Sequence, residues 1–141
     1  MRVTASLRTG ASAGFTLIEL MITIVVATIL ITIAVPAYTS QIRKSRRTEA
    51  KTALLDLAAR EERFFSTNST YTAVPANLGY AGVFPQNVGS GYYQITVATP
   101  TATTFTATAT PQGPQAGDSA CAQFQLDNTG LQTATSAVCW N

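Results

Sequence analysis

The sequence predicts an α+β chain: one long N-terminal helix, its first half apolar enough to cross a membrane, followed by a small antiparallel sheet closed near its end by a disulfide. Three observations carry this. Residues 15–35 read FTLIELMITIVVATILITIAV with a single charge, Glu19. Past residue 91 the apolar period changes from helical to two. The only cysteines, Cys121 and Cys139, sit close together late in the sequence.

The 141 residues suit one domain with an appendage. Charge is nearly balanced, with nine Lys and Arg against seven Asp and Glu, yet seven of the basic residues fall between Arg43 and Arg63. From Phe64 onward the only formal charges are Asp118 and Asp127. A nucleic-acid binder builds a basic stripe on its recognition surface, and this distal part has no Lys or Arg for one. There is no histidine, which removes the commonest general base and zinc ligand. With no paired carboxylates in the distal part and no Gly-rich phosphate loop, no catalytic constellation, metal site or cofactor site is visible, and the reading is not an enzyme.

Residues 1–14 are short and hydrophilic, with Arg2 and Arg8 as their only charges, a positive flank that stays on the cytoplasmic side of a membrane. Ordinary signal peptides are cut after their apolar core. Nothing after Pro36 resembles such a site, so the apolar core is expected to be kept. Residues 15–35, at a rise of about 1.5 Å each, span roughly the 30 Å hydrocarbon core. Within that span Glu19 is costly, about 2.5 to 3.5 kcal/mol at the bilayer centre, and needs a partner. Thr23, Thr28 and Thr32 are expected to place their hydroxyls on carbonyls one turn earlier, and Ala27 and Ala34 to allow close helix approach.

Pro36 lacks an N–H and crowds the preceding turn, so a helix kink is expected there. The helical pattern resumes over residues 36–66, with Ile42, Ala50, Ala53, Leu54, Leu57, Ala58, Phe64 and Phe65 on one face. The charged residues, Glu61 among them, cover the rest. The basic cluster Arg43 to Arg47 reads as a contact to acidic lipid heads, to acids on adjacent subunits, or as a solvated face. Residues 67–91 are rich in turn formers and read as one αβ loop. In residues 92–141 three antiparallel strands are expected. Tyr93, Ile95 and Val97, then Phe105, Ala107 and Ala109, then Ala122, Phe124 and Leu126 face Leu54, Leu57 and Phe64, with Thr and Gln on the wet face. In a chain with an export-type segment, Cys121 and Cys139 read as a disulfide, two buried thiols being the alternative. Trp140 is expected on the sheet edge.

The run GFTLIEL, Gly14 to Leu20, with its glutamate and the apolar run behind it, resembles the N-terminal motif of type IV pilins and their pseudopilin relatives. The resemblance implies the type IV pilin fold, with residues 1–14 a leader removed by prepilin peptidase. Gly14 is then its last residue, Phe15 the methylated new N-terminus, and Glu19 the subunit-assembly glutamate that pairs with the Phe15 amine of a neighbouring subunit. Ala13 stands where many members carry Lys or Arg. The terminal disulfide segment is again similar to pilins, and PTATTFTATATP with CAQFQLDNTG is similar to minor pilins of the PilE type.

The implied role is a minor subunit of a type IV pilus. It would lie in the inner membrane as a single-pass protein before assembly and in the extracellular pilus afterwards. Its implied partners are other pilin subunits, inner-membrane lipid, prepilin peptidase and the pilus assembly platform. A major pilin, a DNA-receptor pilin and a type II secretion pseudopilin are the alternatives. DNA capture is disfavoured by the charge of the distal part, unless Arg60 and Arg63 reach the surface. Two isolated acids make a poor calcium cage, which speaks against a pseudopilin.

Overall fold

The computed structural model describes residues Gly14 to Trp140; residues 1–13 of the expected leader, with Arg2, Arg8 and Ala13, lie outside the described residues. A helix, α1 (Leu17–Asn68), leads into a five-stranded antiparallel sheet: β1 (Gln86–Val88), β2 (Tyr93–Thr101), β3 (Thr104–Pro111), β4 (Phe124–Asp127) and β5 (Gln132–Ala134), in that spatial order. The chain divides into two compact units, meeting at residues 38 and 39.

In the first unit every described residue is exposed, including Leu17, Met21, Val25, Ile29 and Val35. The stretch is long and apolar enough to cross a membrane. Its hydroxyls behave as expected: Thr23 donates to the Leu20 carbonyl, Thr28 to Ile24 and Thr32 to Thr28, each at 2.8 Å. Pro36 lies inside the helix.

The second unit is the head. Ala50, Leu54 and Leu57 on α1 are fully buried against Tyr93, Ile95, Phe105, Ala107, Ala109, Phe124 and Leu126 from the sheet. Along β3 burial alternates from Phe105 to Ala109 with Thr104, Thr106 and Thr108 on the other face, which is the pleat of a half-buried strand. The register Thr96↔Thr108 and Thr108↔Gln125 fixes which polar residues share the wet face.

Two short strands lie beyond the three expected. β1 falls inside the stretch read as loop, and β5 follows the third strand; both are edge strands of three residues. Residues 67–91 also hold a 3-10 turn, Pro75–Leu78, with Leu78 buried. The β2–β3 turn is tight, with Thr101 paired directly to Thr104. Gly89 has a left-handed φ of 46°, and a Cβ there would sit 2.7 Å from Glu49 Oε2. Only glycine lets the loop come close enough for Glu49 to accept the Ser90 N–H and hydroxyl, both at 3.1 Å.

Candidate assembly site

Glu19 sits in the first turn of α1, where the Thr16 hydroxyl accepts the Glu19 N–H at 3.3 Å. Thr16-Leu17-Ile18-Glu19 therefore supplies one half of a capping box, which starts the helix at Leu17. An acid in the first turn is also favoured by the helix dipole. Neither effect neutralises the carboxylate, which has no ion-pair partner among the described residues. Gly14 and Phe15 lie just before it and are exposed, Phe15 at 78%. The arrangement is an apolar, unburied helix with one acid near its start.

The head's acids contrast with this. Asp118, one of its two distal charges, is 2% exposed. It receives Arg47 in a two-pronged pair, Nε to Oδ2 and Nη2 to Oδ1, both at 2.6 Å. Gln115, fully buried, donates to Asp118 Oδ2 at 3.0 Å and to the Tyr93 hydroxyl at 3.2 Å. The hydrogen bonds that Arg47 donates to Asp118 raise the Arg47 pKa above its ordinary value. Arg46 stacks over the Tyr92 ring, 3.5 Å from its centroid. Half of the basic cluster is thus consumed inside the molecule. For Arg46 and Arg47 the expected contact to lipid or to neighbouring acids is replaced by intramolecular ones. Arg60 is likewise held, donating to Asp56 at 2.8 Å and to the Leu78 carbonyl at 2.9 Å. Arg43, Lys44 and Arg63 are exposed and make no ion pair among the described residues.

Glu61 departs from its expected place on the charged face: it is fully buried. Oε2 accepts the Thr72 N–H at 3.1 Å and Oε1 has no partner, so burial pushes its pKa up. The signal was in the spacing, because residue 61 is seven after Leu54 and four after Leu57, on the core stripe. Its neighbour Glu62 accepts the Tyr71 hydroxyl at 2.7 Å, and burial followed by this bond pushes Tyr71 up to about 12. Tyr71 in turn stacks on Phe65 and meets Phe105 edge-on.

Cys121 and Cys139 are bonded, with Cα atoms 5.7 Å apart. Trp140 lies where expected: its indole N–H donates to the Thr133 carbonyl on β5 at 2.8 Å, and its ring meets Phe124 edge-on. Among the described residues no group of three or more potential metal ligands occurs.

The family described as type IV minor pilin ComP, DNA uptake sequence receptor, matches residues 36–125. The prokaryotic N-terminal methylation motif matches residues 10–35. The type IV major pilin protein PilA of Myxococcus xanthus is 35% identical over 85 residues, 60% of this chain but 37% of that protein's length. Among solved structures, a type IV pilin from Shewanella oneidensis superposes with a TM-score of 0.54 at 25% identity, over 70% of this chain and 98% of the other. The non-core minor pilin PilV of Neisseria meningitidis superposes with a TM-score of 0.52 at 24% identity, over 70% and 91%, a likeness of fold.

Proposed function

Because the chain belongs to the type IV pilin family, we propose that it is a structural subunit of a type IV pilus, and a minor one. It is held in the inner membrane by residues 15–35, cut after Gly14 by prepilin peptidase, methylated at Phe15 and drawn by the assembly platform into a filament with its sheet outward. The observation that carries this reading is the fully exposed apolar helix with an unpaired acid near its start. A cut after Gly14 frees a cationic amine at Phe15, four residues from Glu19. In a bundle of such helices that amine neutralises the Glu19 of an adjoining subunit, offsetting the burial of each charge alone. It also fixes axial register, because a subunit displaced by one turn leaves both charges unpaired. Minor status is supported by the ComP description.

The test is Glu19→Val. We expect membrane levels to be retained and recovery in sheared filaments to fall about tenfold or more, since removing one partner of a buried pair costs about 3 to 5 kcal/mol. Normal recovery, or assembled chains that still carry the leader by mass spectrometry, would overturn the reading.

A second reading, capture of DNA, is favoured by the family description as a DNA uptake sequence receptor. Arg60 does not serve it, being bound to Asp56 and Leu78. Arg43, Lys44 and Arg63 are the described cations left for phosphate. If they hold DNA, the full chain in lipid nanodiscs retards duplex DNA at low salt, and Arg43→Glu with Lys44→Glu abolishes it. Retardation unaltered by that double variant would reject these residues as the phosphate contacts.

A further inference from the structure

The sheet face turned away from α1 carries a built polar surface at its β4–β5 end. Pairing places residues there in three rungs: Thr106, Asp127 and Leu131; then Thr108, Gln125 and Thr133; then Gln123 opposite Thr135. Successive rungs are two residues apart, about 6.8 Å along an antiparallel strand. Between the first and second lies a hollow of about 210 Å³, lined by Thr106, Gln125, Asp127, Leu131 and Thr133. Between the second and third lies another of about 240 Å³, lined by Gln123, Gln125, Thr133, Ala134 and Thr135. Gln125 and Thr133, joined by a hydrogen bond of 3.3 Å, form the shared wall. Each hollow is smaller than the roughly 300 Å³ at which drug-sized pockets begin, the scale of a single sugar ring.

The lining selects a ligand class. It offers hydroxyls and carboxamides that both donate and accept, with no cation anywhere from residue 64 onward. Leu131, 60% exposed, supplies an apolar plate at one end. Asp127 spends Oδ1 on its own turn, accepting from the Thr129 N–H and hydroxyl and the Leu131 N–H. Oδ2 has no partner among the described residues. These bonds hold the Asp127 carboxyl below its ordinary range, so it stays ionised at neutral pH. A fixed negative charge and no positive one repel phosphate-bearing and acidic polymers. What remains complementary is a neutral chain of hydroxyl-rich rings with apolar faces.

We propose that the two adjoining hollows on the β4–β5 face bind successive rings of a neutral polysaccharide, with Asp127 Oδ2, Gln125 and Thr133 bonding its hydroxyls and Leu131 backing a ring face. The site belongs to the head and does not depend on whether the chain polymerises.

The full chain in phosphatidylcholine nanodiscs, prepared without glycolipid or sugar detergent, is titrated with maltohexaose and with cellohexaose while backbone amide shifts are followed. An alginate hexamer and duplex DNA serve as charged controls. We expect one of the neutral hexamers to bind in the millimolar range and to shift residues 123–127 and 131–135. Gln125→Ala and Thr133→Val, both on the wet face, are expected to weaken binding about tenfold each, the loss of a hydrogen bond or two. Gln94→Ala, on the wet face of β2, leaves it unchanged. Unaltered Trp140 near-ultraviolet dichroism verifies that the variants fold. The proposal is overturned if neither neutral hexamer binds at about 20 mM, if both variants bind as the wild type does, or if only the charged controls bind.

Discussion

The two parts of α1 dissolve the same kind of side chain in different solvents. From Leu17 to Val35 the helix is apolar on every side and exposed throughout. From Ala50 to Glu61 it is apolar on one stripe, and that stripe is closed by the sheet. Their acids follow suit. Asp118 in the head is paired to Arg47 of its own chain, whereas Glu19 has no such partner among the described residues. An amphipathic helix completes itself by folding, while a helix hydrophobic all round requires lipid or its own kind. Stability of the head and the proposed assembly into a filament are therefore separable on one element, and mutations should divide cleanly between them.

The largest break in that division is Glu19→Val, which should deplete filaments while leaving the head's unfolding curve where it was. Next in size, within the head, Leu54→Ala should cost about 2 to 5 kcal/mol, as truncation of a fully buried leucine does. Urea unfolding of the detergent-solubilised chain followed by Trp140 fluorescence measures it. Arg47→Ala strands a buried carboxylate and should cost about 2 to 3 kcal/mol by the same assay, discounted for the partial exposure of Arg47. Asp118→Asn should cost less. Reduction of the Cys121–Cys139 bond should remove about 3 kcal/mol of loop-closure entropy, and amide exchange should rise in residues 121–139 before it rises in α1.

The subtlest effect is a dependence on pH. Burial raises the Glu61 pKa above its ordinary value of 4.5. The favourable, protonated form is fully present below that ordinary value, and its contribution is lost as pH rises through the raised one. The head should thus gain stability on acidification from neutrality, and Glu61→Gln should flatten the profile. An unchanged slope in that variant would place the dependence on another group. None of these head variants should alter membrane insertion.

Much of this was legible because it was local. The apolar run, the glutamate at its start, the stripe through Leu54 and Leu57, and the period-two strands around Tyr93, Phe105 and Phe124 each declare themselves within one short stretch of sequence. β1 and β5 did not, because three residues are too few to display a period. The Arg47–Asp118 pair joins residues 71 apart in sequence. Nothing near either one distinguishes a solvated charge from a buried one. Gln115 was equally silent, a buried amide in a Gly-Pro turn whose value lies in what it touches. Glu61 was legible in position but not in chemistry: the stripe includes it, and its charge argued the other way. The hollows on the wet face need the register of three strands before Gln125 and Thr133 are seen to share a wall.

The indole of Trp140 has a further effect. By bonding the Thr133 carbonyl it ties the chain's last turn to a strand only three residues long. A foreign strand arriving there finds only a short edge to grip. The opposite rim, β1, is equally short, so heads crowded at high local density have no long edge by which to knit into amyloid-like ribbons.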